Sequence, residues 1–154
     1  MCLAGNLGSD ARFDYTLFGD TTNLASRLVG LNKYLGTDIL ISESTRSSLN
    51  GSIKTRALGK FILAGTTKPI SVFEVLGLAS EFNFEPAWVG SFSLALEHFN
   101  KPDFNSAQAL FRKTLEARNG HDGPSEFYLL QIETARQSLP NDTPWDGTVR
   151  LTEK

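Results

Sequence analysis

Two side chains in this 154-residue sequence have the types and spacing to do chemistry on a phosphate: Asn23 and Arg27. A four-residue step puts both on one face of a helix. A guanidinium there offers two parallel N–H donors to phosphate oxygens, and a nearby carboxamide can fix a sugar oxygen, which suits stabilising charge on a transferring phosphoryl group. Spacing alone favours the plainer role of a solvated helix flank. Other chemistry is poorly provided for. Cys2 is the single cysteine, and His98 and His121 are too widely separated for zinc spacing. Asp10, Asp14 and Asp20 lie near one another in sequence, but Asp20 reads as a helix N-cap and Asp14 as a strand-surface residue, so no metal site is predicted in this chain. Gly5-Asn6-Leu7-Gly8 lacks the Gly-Lys-Ser/Thr that completes a phosphate-cradling loop and reads as a strand-end turn.

The helix that must carry Asn23 and Arg27 is well marked. Leu24, Leu28, Leu31 and Leu35 recur at helical spacing, Asp20 offers a cap, and Gly36 stands where a left-handed C-terminal cap is wanted. Asn23 and Arg27 flank that leucine stripe, at the rim of a buried seam. A strand over residues 13–17 leads into the helix through Phe18-Gly19-Asp20. After it come a short strand at 38–41, a capped one- or two-turn helix at 42–49, a turn at Asn50-Gly51, and strands at 55–63 and 70–76. Gly65 to Pro69 is a connection of hairpin length, which predicts that the last two strands pair antiparallel. Composition shifts near residue 78, and Pro86 starts the first of three helices at about 87–99, 103–118 and 124–138.

The residues also resemble a known family. Gly5-Asn6-Leu7-Gly8-Ser9, the run from Arg12 to Leu28 with Phe13-Asp14-Tyr15-Thr16-Leu17-Phe18-Gly19-Asp20 and Asn23-Leu24-Ala25-Ser26-Arg27, Ile39-Leu40-Ile41-Ser42-Glu43, Leu58-Gly59 and Pro69 to Val75 are similar to the signature of class III nucleotide cyclases. The resemblance covers residues 1–77. It implies a partial ferredoxin-like cyclase core; with the composition shift and helical periodicity that follow, the expectation is an α+β fold with a linker at 78–86 and an all-α extension over 87–154. It also implies attack of the ribose 3′-hydroxyl of ATP on the α-phosphate, with pyrophosphate leaving, at a site formed between two catalytic domains. By that resemblance Asn23 and Arg27 are the transition-state residues, arginine on phosphate oxygen and asparagine on ribose, and Thr16 is the purine-contacting position, with adenine expected and GTP as the alternative.

Three departures from the family pattern shape the expectation. The two aspartates that hold Mg²⁺ or Mn²⁺ in the family lie upstream of the Gly-Asn-Leu-Gly segment, so the chain is expected to be inactive alone and to need a second cyclase domain. The purine-contacting lysine of an earlier strand is likewise absent. Ala64 stands where a phosphate-binding lysine often precedes the late glycine, and Lys68 would need a different reach. Two alternatives from non-enzyme classes are a regulatory pseudo-subunit supplying the arginine half of a composite site, and an interaction module worked by the helical tail. Leu94, Ala95, Phe104, Ala107 and Phe111 resemble the spacing of a tetratricopeptide helix pair.

Bulk properties narrow the class. Forty per cent hydrophobic residues, with eleven Phe and two Trp, can fill a core. A net charge of −2 with both signs interspersed gives no footprint for nucleic acid. No apolar run is long enough to span a bilayer. A cytoplasmic setting is expected, including the cytoplasmic end of a membrane-anchored receptor cyclase.

Overall fold

The leucine stripe forms α1, Asp20–Leu35, whose Leu28, Leu31 and Leu35 are buried. The helix stops where Gly36 turns left-handed at φ 59° and its N–H reaches the Asn32 carbonyl. Asp20 is the first helical residue rather than the cap. Gly19 takes the cap position, and the Asp20 carboxylate sits in the first turn, at the positive end of the helix dipole. The computed structural model describes residues 2–9, 12–138 and 144–151; Asp10 and the side chain of Asp14 lie outside that description.

Ahead of α1, strands β1 (Leu3–Ser9) and β2 (Arg12–Phe18) form an antiparallel ribbon. Gly5-Asn6-Leu7-Gly8 lies inside β1 and is not a strand-end turn, because Thr16, Tyr15, Asp14 and Phe13 of β2 stand opposite its four residues. After α1 come β3 (Leu40–Ser42), α2 (Glu43–Ser48), β4 (Ile53–Ile62) and β5 (Ile70–Leu78). Ser42 caps α2 by accepting the Thr45 N–H at 3.3 Å. Strands β4 and β5 pair antiparallel, as their hairpin-length connection predicts, and β3 adds antiparallel on the far side of β5.

A single 3₁₀ turn, Ala79–Glu81, leads to α3 (Ala87–Asn100), α4 (Phe104–Ala117) and α5 (Gly123–Ser138), within a residue or so of the expected bounds. The extension is not all-α, however. Thr148–Arg150 forms β6, parallel to β4, giving the sheet order β3-β5-β4-β6. Three residues carry no readable period of their own; the free edge of β4 defines this strand. The result is a mixed α+β protein.

One hydrophobic cluster runs through both halves of the sequence. Leu31 and Leu35 of α1 and Leu58, Phe61 and Val72 of the sheet join Phe92, Phe99, Phe111 and Tyr128 of the later helices. An apolar sheet face must be covered, and these aromatics cover it. Phe92 and Phe111, and Phe99 and Tyr128, pack edge-on with ring centroids 5.3 and 4.9 Å apart, while Phe111 stacks on Tyr128 at 5.1 Å. Of the tetratricopeptide-like spacing, Ala95, Ala107 and Phe111 are buried, whereas Leu94 is 49% exposed.

A buried arginine ties the later helices to the sheet. Arg56 of β4 donates from Nε to Glu74 of β5 at 2.8 Å and from Nη1 to both carboxylate oxygens of Asp122 at 2.9 and 3.1 Å. Its guanidinium carbon lies 4.8 Å from the Trp88 ring centroid and 4.5 Å from that of Phe92. Two carboxylates and two ring faces compensate the charge of this buried guanidinium.

Candidate active site

The face of α1 that carries Asn23 and Arg27 continues through Ser26, Gly30 and Tyr34, all at steps of three or four residues, and it lines an open groove of ≈ 380 Å³. Leu63 and Ala64, where β4 ends, form the facing wall, and Leu151, just past β6, forms part of it. Of these lining residues only Arg27 is charged. Among the described residues Arg27 has no carboxylate partner, so its donors are available to an anion.

The turn beneath Arg27 is built for close approach. Gly65 has φ +72°, and a Cβ placed on it would lie 3.2 Å from Arg27 Nη2. Glycine serves both needs here, the left-handed backbone and the space for a guanidinium. Thr66 holds the turn: its hydroxyl donates to the Leu63 carbonyl at 2.8 Å and accepts the Leu63 N–H at 3.1 Å, while the Thr66 N–H also bonds that carbonyl at 2.9 Å. The arginine therefore lies against a fixed backbone and not against a mobile loop side chain.

The structure thus brings Asn23 and Arg27 to one groove. Thr16 is elsewhere, half-buried on β2 opposite Gly5, and does not line it. Ala64 does line it, which leaves the wall opposite Arg27 without a cation, and Lys68 is exposed and does not. Ser26, Gly30, Tyr34 and Leu151 were not singled out from sequence. The first three were findable by continuing the helical step from Asn23, whereas Leu151 carries no local signal. Among the described residues no three His, Cys, Asp or Glu side chains gather as metal ligands.

Comparison with known proteins agrees with the residues. Residues 1–77 match the family model described as the adenylate and guanylate cyclase catalytic domain, and the chain belongs to that family. It is 36% identical over 81 residues to adenylate cyclase 1 of Rhizobium meliloti, covering 53% of this chain and 12% of that protein. It is 39% identical over 74 residues to an adenylate cyclase of Anabaena cylindrica, covering 46% of this chain and 15% of that one. The chain thus spans a small fraction of the relatives it matches. The crystal structure of the adenylyl cyclase CyaB from P. aeruginosa is similar with a TM-score of 0.42 at 36% identity, over 49% of this chain and 37% of the other. Cyclases of this family are generally metal-dependent and bind nucleotide as dimers. No helix among the described residues is long and apolar enough to cross a membrane.

Proposed function

We propose that this chain supplies the Asn23–Arg27 half of an adenylate cyclase active site that converts ATP to cyclic AMP and pyrophosphate. The observation that carries this reading is the Arg27 guanidinium, without a carboxylate partner among the described residues and laid over the Gly65 turn in one groove with Asn23. As the 3′-hydroxyl attacks the α-phosphate and the bond to pyrophosphate breaks, negative charge grows on the phosphate oxygens. A fixed guanidinium fork beside them needs no reorganisation to meet that charge. On this reading Asn23, one turn earlier on the same face, holds the ribose and so fixes the direction of attack.

On this reading the two aspartates that hold Mg²⁺ or Mn²⁺ are supplied from outside residues 1–77, and the complete site is shared with a second catalytic domain. The chain is inactive alone on this reading, works in the cytoplasm where ATP is available, and has its residues 1–77 as catalytic segment and 87–154, which carry α3 to α5 and β6, as an appended segment beyond a short linker. Thr16 on β2 is the purine-contacting residue and favours adenine over guanine once the partner domain completes the pocket. Titrating ATP and then GTP into the assembled pair tests the base choice. Tighter ATP binding that Thr16→Asp reverses supports it, and equal binding of both nucleotides contradicts it.

A further inference from the structure

Leu151 lies well beyond the family-matching segment, yet it lines the same groove as Asn23 and Arg27. We propose that the strand β6 carries the residue that follows it, Leu151, into the catalytic groove, where Leu151 is a positioning residue that acts through Arg27. This inference rests on the cyclase reading and adds to it an element outside the cyclase segment.

The placement of Leu151 is held from two sides. Lys60, Phe61 and Ile62 of β4 pair with Thr148, Val149 and Arg150, and the Leu151 N–H extends the ladder to the Ile62 carbonyl at 2.9 Å. Period-two alternation sends Val149 and Leu151 to the same side. Val149, only 4% exposed, enters the core, and Leu151 packs against that core at the groove. On the other side Trp145 donates its indole N–H to the Phe99 carbonyl at 2.5 Å. Its ring packs edge-on against Phe99 and Phe104, with centroids 5.0 and 5.2 Å away. The strand is thus fastened to α3 and α4 as well as to β4.

What β6 fastens matters for the arginine. The ladder ends at Ile62; Leu63 and Ala64 follow as groove wall, and Gly65 underlies the guanidinium. Docking β6 therefore fixes the last strand residues before the turn on which Arg27 lies. Leu151 also presents an apolar surface in the groove, which displaces water there and strengthens the attraction between Arg27 and a phosphate oxygen. A helical appendage thereby reaches the chemistry through one short strand.

The test uses the full chain and two independent readouts. The first is the ¹⁵N–¹H resonance of Arg27 Nε, which needs no ligand: Leu151→Ala shifts or broadens it, and Leu151→Met restores it. The second is a cycle of Leu151→Ala and Arg27→Ala, read by titration with tripolyphosphate as the anion probe. Leu151→Ala weakens binding roughly fivefold in the wild-type background and has no effect once Arg27 is alanine. An unmoved Arg27 resonance overturns the proposal, as does an equal loss from Leu151→Ala in both backgrounds, because a purely structural residue would not couple to Arg27. Wild-type chain that binds no tripolyphosphate, or binds it as well with Arg27→Ala, would instead count against the cyclase reading, and the resonance would still decide the role of Leu151.

Discussion

Arg27 shows what a charge needs in order to be useful at a phosphate. Its guanidinium has no carboxylate to satisfy it among the described residues, and it lies over backbone at Gly65, so its orientation does not depend on a flexible neighbour. A lysine would keep the charge and lose the planar fork. Arg27→Lys is therefore expected to weaken tripolyphosphate binding by roughly tenfold, about 1.4 kcal/mol, while leaving the thermal unfolding midpoint unchanged; wild-type affinity in the variant would show that geometry is irrelevant there. Gly65→Ala acts from the other side. It places a left-handed conformation on an L-residue, at a cost of about 1–2 kcal/mol, and pushes a methyl at Arg27. Urea unfolding and anion titration should both register it, and a loss of stability with intact binding would mean that the guanidinium does not depend on this turn.

At the scale of elements, β4 carries a bulge whose repair comes from α5. The β4–β5 register steps from Ala57 to Gly59, passing over Leu58, and the Tyr128 hydroxyl donates to the Leu58 carbonyl at 2.5 Å. Gly59, at φ +103°, leaves the space that the Tyr128 hydroxyl occupies. Burial raises the Tyr128 phenol far above its ordinary value, so it stays a donor through the working pH range. Tyr128→Phe leaves a buried carbonyl without this bond and is expected to cost about 1–3 kcal/mol in urea unfolding; a change below a few tenths would mean that the carbonyl is satisfied otherwise. Helix α4 carries a pH-dependent cap. Hydrogen bonds from the Ser106 side chain and backbone N–H, and then His98, hold the Asp103 carboxyl below its ordinary value. A depressed carboxyl contributes stability above its unfolded pKa of about 4, and that contribution is lost as pH falls through the folded value. The stability gap between wild type and Asp103→Ala should therefore close on acidification below that point, and a gap that persists there would contradict the assignment.

The whole molecule shows which long-range features a sequence can carry. The α1 stripe, its Gly36 cap and the β4–β5 pairing were legible because each depends on residues within a turn or a hairpin of one another. The Asn23–Arg27 face was legible for the same reason. Arg56 was not, since an arginine in an alternating strand reads as solvent-facing until Asp122, 66 residues later, is brought beside it. Strand β6 and Leu151 escaped notice likewise, being defined by the edge of β4 and not by their own composition. Gly5 and Gly8 misled because glycine more often marks the end of a strand than its interior. The Arg56 cluster makes the sheet and the later helices one cooperative body. Arg56→Ala takes the arginine from two carboxylates, leaving Glu74, 14% exposed, without its cation and the buried Asp122 with only Arg118, 3.5 Å away, and the Ser125 hydrogen bonds. It is expected to cost about 3–5 kcal/mol and to lower a single unfolding transition; two separate transitions would show that the helices fold apart from the sheet.

The most direct test of the central claim is cyclic AMP formation by this chain mixed with the catalytic domain of the Rhizobium relative, in which the arginine matching Arg27 has been replaced so that the domain is silent by itself. The account predicts that ATP is converted when the wild-type chain is added and that Arg27→Ala or Asn23→Ala chain restores little or nothing. Equal restoration by wild type and Arg27→Ala would contradict it, and so would a mixture shown to associate that forms no cyclic AMP at all.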